Sequence, residues 1–466
     1  MSQDGPSISS FTELHDNTFT SKDDRRIRGK TLASSYPHSD HFRWSLGSDR
    51  EDLIEFLKST NKGRLEELIP IRFHRMMASP FTFFRGAAAV MAADLSTTPK
   101  IGVKVQACGD CHLLNFGAFA TPERHIVFDI NDFDETLPAP WEWDLKRLAT
   151  SFMLCARDNE IKDKQACLAV QTVCRAYREK MAEYAKESIL DIWYKAIEWE
   201  PFIQSTKDEN LQRKLTAGLN KARIRDDSYY FPKLTEEVDG RHLIKDREPL
   251  IYHPSSADGK PLLEQVADAL TRYKETLQDD RQRLVDRYKL ADAAIKVVGV
   301  GSVGTMCIVA LLLARDAEPL FLQFKEARQS VLEPYTGKST YENSGQRVAA
   351  GQRIMQSASD IFLGWTDFEG DKHFYVRHLR DMKVKLEPET WDGKQLIAFA
   401  ELTGSVLARA HARSGDAAVI SAYLENGESF DEAITEFARS YAHQTELDHR
   451  VLCQAIDRNE IPVRPA

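Results

Sequence analysis

The 466-residue sequence predicts an α+β chain in two lobes, a helix-rich lobe followed by a small antiparallel-sheet lobe. Three observations lead there. Up to about residue 290, apolar residues recur at helical spacing, most plainly in FTFFRGAAAVMAADL over 81–95. From Ala293 the texture changes to short β-branched and aromatic runs over 295–300, 307–313, 319–325 and 372–379. Helical spacing then returns over 394–413. The resulting divisions are an N-terminal arm over 1–50, the helix-rich lobe over 51–290, the sheet lobe over 291–390, and C-terminal helices over 391–466 that pack on the helical lobe.

Each element has its own justification. Residues 1–50 are polar and rich in Ser, Asp and His, as expected of a partly disordered arm on the surface. Ser79-Pro80 supplies the start of a buried helix over 81–95. Residues 100–107 (KIGVKVQA) alternate and read as a strand, and a second strand is expected over 125–130. Residues 143–188 read as two or more helices, and 190–290 as charged, mostly helical chain broken by loops. A further helix is expected over 346–362.

Composition narrows the class. Hydrophobic residues at 42% and charged residues at 29% are too apolar a mixture for a disordered chain. A net charge of −9 argues against general nucleic-acid binding, which needs a basic face. The N-terminus carries no secretory pattern, and the longest apolar run, 306–314, is far shorter than the roughly 20 residues that span a bilayer. A cytoplasmic protein without a membrane partner is expected, its seven cysteines reduced.

The chemistry concentrates in two loops. Asp110 and Asn115 stand five residues apart in GDCHLLNFG, and Asp132 comes later in NDFDE. In kinase-like phosphotransferases one Asp orients the acceptor hydroxyl, an Asn five residues later holds magnesium, and a second Asp bridges metal and phosphates. Asp134 shares a side of the extended chain with Asp132 and can share the metal; Asp129 is a further alternate. Far downstream, Gly299, Gly301 and Gly304 form a GxGxxG with Ser302 inside it. Such a loop opens a helix in dinucleotide-dependent oxidoreductases but joins two strands in kinases, where a lysine lies on the next strand. The strand-like Cys307-Ile308-Val309 favours the second form, and Lys325, set among apolar residues, is the candidate grip on the phosphates. Its partner is expected among Glu333 and Glu342.

These motifs carry two resemblances. GDCHLLNFG resembles the HGDxHxxN loop of aminoglycoside-phosphotransferase relatives, with Cys108 in place of the first His. NDFDETLPAPWEWDLKRLA resembles their next conserved segment, which implies that Asp144 braces the catalytic loop from a helix. The glycine loop and lysine come about 190 residues after the catalytic loop rather than before it. The implied fold is therefore a circularly permuted protein-kinase-like one, with 81–95 or 402–413 as the helix that leads into the catalytic loop. Through SPFTFFRG, GDCHLLNFG, NDFDE, WDLKRLA, LQFKEA, GQRIMQ and YVRHLRDMK, residues 50–460 also resemble an uncharacterised bacterial family, the domain of unknown function twenty-two fifty-two.

The expected function is an ATP- and Mg2+-dependent phosphotransferase, with the acceptor open among proteins, small molecules and nucleotides. The alternatives are a regulatory nucleotide-binding module or another nucleotidyl transferase on the same site, and, further off, a dinucleotide-dependent oxidoreductase. Asp110 and Lys325 are the catalytic candidates; Asn115, Asp132 and Asp134 the metal candidates; Gly299, Gly301, Ser302, Gly304 and Lys325 the nucleotide candidates. Cys108 to His112 also spells C-x-x-C-H, but covalent haem needs export, and buried inert thiols are expected. His112 is expected as a hydrogen-bonded loop residue rather than a metal ligand. Arg72, His74, Arg75 and Arg85, and separately Arg377, Arg380 and Lys383, are basic clusters that either reach a phosphate or sit on solvated faces.

Overall fold

The computed structural model describes residues 20–465 apart from 48, 49, 207, 255–259, 369, 380, 381 and 385. Helices dominate, and the strands form small antiparallel sheets. The first four strands, β1 (Lys104–Ala107), β2 (Phe116–Ala120), β3 (Ile126–Ile130) and β4 (Leu137–Pro140), make two ribbons, β1 with β4 and β2 with β3. Their register brings two loops together. Ala107 lies opposite Leu137, and Phe116 lies opposite Ile130. The loop over 108–115 is therefore held beside the loop over 131–136, although they are distant in sequence.

Helix Trp141–Asp158 leaves β4 at once and is buried along nearly its whole length. Helices Asp163–Tyr184, Gly393–Ser414 and Glu428–Asp457 pack around it into one large apolar core. Helix Gly393–Ser414 also abuts β1: Ser414 Oγ accepts from Gln106 N at 3.0 Å. Of the two helices expected to lead into the catalytic loop, the one over 402–413 is continuous with this contact.

The expected single helix over 81–95 is two helices, Pro80–Gly86 and Ala88–Ser96, broken at Ala87. Two contacts account for the break. The Gly86 carbonyl accepts from Arg72 Nη2 at 2.9 Å, and a Cβ on Gly86 would lie 2.6 Å from the Met76 side chain. The arm, within the described residues, carries helix Lys22–Ser35, capped by Ser21 and packed on helix Ala417–Tyr423.

A separate hairpin pairs β5 (Thr235–Val238) with β6 (Arg241–Ile244). The larger sheet contains β7 (Ile251–Tyr252), β8 (Lys289–Lys296), β9 (Cys307–Leu313), β10 (Pro319–Ala327), β11 (Gly364–Phe368) and β12 (Lys372–His378), in the order β11-β12-β10-β9-β8-β7. Alternation sorts β10 by face. Leu320, Leu322 and Phe324 enter an apolar core with helix Leu262–Lys274, which leaves Phe321, Gln323 and Lys325 on the side of the helical lobe. Helix Ser344–Met355 connects β10 to β11.

The core holds one buried charge pair with a pH signature. Glu142 and Lys146, one turn apart on helix Trp141–Asp158, are both fully buried. Glu142 Oε1 accepts from Ile101 N at 3.3 Å, while Lys146 Nζ sits 4.6 Å from the Phe437 ring centroid and finds no hydrogen-bond acceptor among the described residues. Burial pushes Glu142 up to about 7, although its backbone contacts and Lys146 pull it down. An unfolded chain releases that proton near 4.5, so between pH 4.5 and 7 the folded state binds more protons and stability falls as pH rises. Glu142→Gln is expected to flatten this fall, roughly 3 kcal/mol at most, in urea unfolding across that range. Equal slopes in both proteins would refute it.

Candidate functional site

Helix Trp141–Asp158 presents Asp144, Arg147 and Ser151 at helical spacing towards the 108–115 loop, and each fixes one part of it. Asp144 accepts from Cys108 N at 2.6 Å and Gly109 N at 2.9 Å. His411 Nε2, 3.2 Å away, orients it, and Tyr177 OH holds His411 Nδ1 at 3.0 Å. Ser151 Oγ accepts from Leu113 N at 3.0 Å. Gly109 is the pivot: its φ is +84°, and a Cβ there would lie 2.4 Å from the Glu135 carbonyl. The close approach brings the two loops into contact.

Arg147 Nε donates to Asp110 Oδ1 at 2.6 Å and Nη2 lies 2.5 Å from the same oxygen. Asp110 Oδ2 is left facing His112 Nε2 at 3.9 Å. Asn115 Nδ2 donates to the Asp110 carbonyl at 2.6 Å, and Asn131 N donates to the Asn115 carbonyl at 2.7 Å. Asp110, Asn115, Asp132 and Asp134 all line one cavity of about 470 Å3.

Lys325 joins the two halves of the chain. Its Nζ lies 3.4 Å from Asp132 Oδ1 and makes a short contact with Asp134 Oδ2. Tyr375, directly opposite Lys325 in the sheet, donates to Asp134 Oδ1 at 2.9 Å, and Ser302 Oγ donates to Asp134 Oδ2 at 3.2 Å. Burial disfavours the charge on Lys325, but Asp132 and Asp134 outweigh it and hold its pKa well above the usual lysine value. For Asp134, burial is likewise outweighed, by Lys325 and Tyr375, and its pKa is lowered. Asp132 is raised, by burial and by the neighbouring charge of Asp134. The Lys325 side chain is 4% exposed, so the ammonium lies one layer behind the carboxylates that face the cavity.

The glycine segment joins β8 to β9 and opens no helix, which is not the setting a dinucleotide loop requires. Gly299, Gly301 and Ser302 line the cavity, whereas Gly304 stands behind the loop, where a Cβ would lie 3.1 Å from that of Arg64. Residues 60–75 hold the segment: Leu65 N donates to the Gly304 carbonyl at 2.8 Å, Arg64 Nη1 to that of Val303 at 2.6 Å, and Arg75 Nη1 to that of Gly299 at 2.5 Å.

Several expectations are corrected. Glu333 is not the partner of Lys325: its carboxylate accepts from Gln329 Nε2 at 3.0 Å and Ser330 N at 3.2 Å, and the counter-charge comes from Asp132 and Asp134. No ion pair joins Lys325 to Glu342 among the described residues. Asp129 is no metal candidate, because it is fully buried in an ion pair with Arg409 at 2.6 Å and accepts from Ser357 at 2.9 Å.

The thiols are structural. Cys108 Sγ donates to the Asp132 carbonyl at 3.3 Å, and burial pushes the Cys111 thiol well up. Burial takes His112 down to about 3, and the described residues contain no group of three or more His, Cys, Asp or Glu able to hold a metal. Asn115 with Asp132 and Asp134 is instead a set of two carboxylates and an amide. Arg72 and Arg85 line the cavity, while Arg377 donates to Gln323 and to the Asn131 carbonyl; Arg380 lies outside the described residues. The sequence reading missed Tyr375, Arg64 and Arg328, and assigned no role to Arg147. Strand pairing with Lys325 and helical spacing from Asp144 are the signals that point to Tyr375 and Arg147.

No curated protein and no solved structure is found to match the chain. No helix among the described residues is long and apolar enough to cross a membrane. A family model described as an uncharacterized protein conserved in bacteria (DUF2252) matches residues 64–455, which includes both loops, the glycine segment and Lys325, and the chain belongs to that family.

Proposed function

We propose that the chain is an ATP- and Mg2+-dependent phosphotransferase whose acceptor enters the cavity beside Asp110. The observation that carries this reading is the joint contact of Lys325 with Asp132 and Asp134, residues more than 190 positions away. Phosphoryl transfer asks a protein for positioning and charge neutralisation rather than covalent chemistry. A lysine and two carboxylates at one end of a cavity, with an Asp and an Asn beside them, supply those needs.

The order of parts supports the same reading. The glycine segment joins two strands, Lys325 lies on the neighbouring β10, and after the one-turn helix Glu333–Thr336 comes helix Ser344–Met355, an order like the kinase one of glycine loop, lysine strand and helix. Asn115, Asp132 and Asp134 offer the hard oxygen donors that suit Mg2+, which usually takes one or two carboxylates and completes its shell with phosphate and water. Bound there, Mg2+ would neutralise phosphate charge. Asp110, held by Arg147 through one oxygen, keeps Oδ2 to orient an acceptor hydroxyl. Ser302 must lift from Asp134 before a phosphate reaches Lys325, and the backbone of Gly299 and Gly301 then faces that phosphate.

A second reading, a regulatory module that binds nucleotide without turnover, is favoured by the seclusion of Lys325 behind its own carboxylates. The first test is thermal unfolding. ATP with Mg2+ is expected to raise the melting temperature, by an increment equivalent to about 2.7 kcal/mol at 100 times Kd, while ATP with a chelator leaves it unchanged. Asp132→Asn should abolish the shift. A shift that is independent of Mg2+, or that survives in Asp132→Asn, would refute the assigned site.

A further inference from the structure

The cavity has a second face that Mg-ATP does not account for. Arg64, Arg72, Arg85 and Arg328 line it, together with Ala87, Ala88 and Ala89. Helix Ala88–Ser96 begins on this wall, and its N-cap, Ala87, has no side chain to accept from the first amides. Val90 N donates to the Ala87 carbonyl at 3.1 Å, whereas the N–H groups of Ala88 and Ala89 have no intrahelical acceptor, and the positive end of the helix dipole lies with them. The small alanine side chains leave them within reach of a ligand.

An independent observation marks the same wall. Arg72 is 2% exposed; its Nη1 donates to Asn61 Oδ1 at 2.6 Å and its Nη2 to the Gly86 carbonyl at 2.9 Å, but Nε has no partner among the described residues. Among the described residues Arg64 donates to the Thr60 and Val303 carbonyls alone, and Arg328 to that of Lys62. None of the three forms an ion pair with a carboxylate among the described residues. The acids of the cavity are engaged elsewhere: Asp110 with Arg147, Asp132 and Asp134 with Lys325, Glu326 with Met306 N, and Glu135 with Val331 N. Burial and mutual repulsion depress Arg72 and take Arg64 down to about 10. Arg72, buried without a counter-ion, is costly unless an anion joins it, and the charges of the half-buried Arg64 and Arg328 act on it.

We propose that Arg64, Arg72, Arg328 and the first-turn amides of helix Ala88–Ser96 form an anion site for a phosphate group carried by the acceptor, so that the enzyme acts on an already phosphorylated compound. Three guanidinium groups and a helix N-terminus suit a tetrahedral dianion. That the phosphate belongs to the acceptor rests on the phosphotransferase reading, in which Lys325 and the glycine segment take the phosphates of the nucleotide. The anion site itself stands without it.

The test uses the full chain and inorganic phosphate as probe, by calorimetric titration without Mg2+ or nucleotide. Phosphate is expected to bind, and Arg328→Gln and Ala89→Asp to weaken it about tenfold or more. Ala89→Asp puts a carboxylate in the first helical turn, where it favours the fold while repelling the ligand. Lys325→Met should still bind phosphate, and wild-type protein saturated with Mg2+ and a non-hydrolysable ATP analogue should bind it too. Absence of binding, or binding unchanged in both wall variants, would overturn the site. Competition between phosphate and the Mg-analogue would overturn its assignment to the acceptor. Failure of the analogue to bind while phosphate binds would refute the phosphotransferase reading and leave the anion site standing.

Discussion

Replacing Asp110 by Asn is expected to lower turnover by about 10²- to 10⁴-fold, the usual contribution of a positioned general base, with affinity for Mg-ATP unchanged. The substitution is nearly isosteric. Arg147 needs a single acceptor at Oδ1, which the Asn carbonyl retains, and the loop around it is set by Asp144, Ser151 and Gly109 rather than by this carboxylate. The loss would therefore fall on Oδ2, the oxygen that Arg147 does not hold. ATP consumption at saturating Mg-ATP, measured beside the dissociation constant, separates the two effects. Turnover within about threefold of wild type would remove Asp110 from the chemistry.

Lys325→Met has the second large effect. It removes the ammonium that lies against both Asp132 and Asp134, and Met fills a similar volume on the same strand face. A charge-assisted hydrogen bond contributes roughly 1.5–3 kcal/mol, so affinity for the Mg-nucleotide should fall roughly 10- to 100-fold. Asp132 is 37% exposed and Asp134 24%, so solvent screens much of the repulsion left behind and the chain should still fold.

The loops were legible because their chemistry is local. The five-residue step from Asp110 to Asn115 and the return of Asp132 depend on two adjacent ribbons, whereas Asp129 stays an alternate in sequence until Arg409 of a distant helix claims it. Lys325 was legible because a lysine among apolar strand residues needs an anion. Its partner was not, since a search near Lys325 in sequence finds Glu333, whereas the pairing joins opposite parts of the chain. The break after Gly86 was equally hidden. An Ala-rich run reads as one helix until Arg72 claims the Gly86 carbonyl and Met76 packs on its Cα. Arg64 and Arg328 belong to no motif, and only folding brings them to one wall.

The most direct measurement is calorimetric titration of a non-hydrolysable ATP analogue into wild type and Lys325→Met, with and without Mg2+. Binding in wild type only with Mg2+, weakened roughly 10- to 100-fold in a folded Lys325→Met, is the predicted result. Equal affinity in the two proteins, or affinity that does not depend on Mg2+, would contradict a nucleotide-phosphate site at Lys325, Asp132 and Asp134.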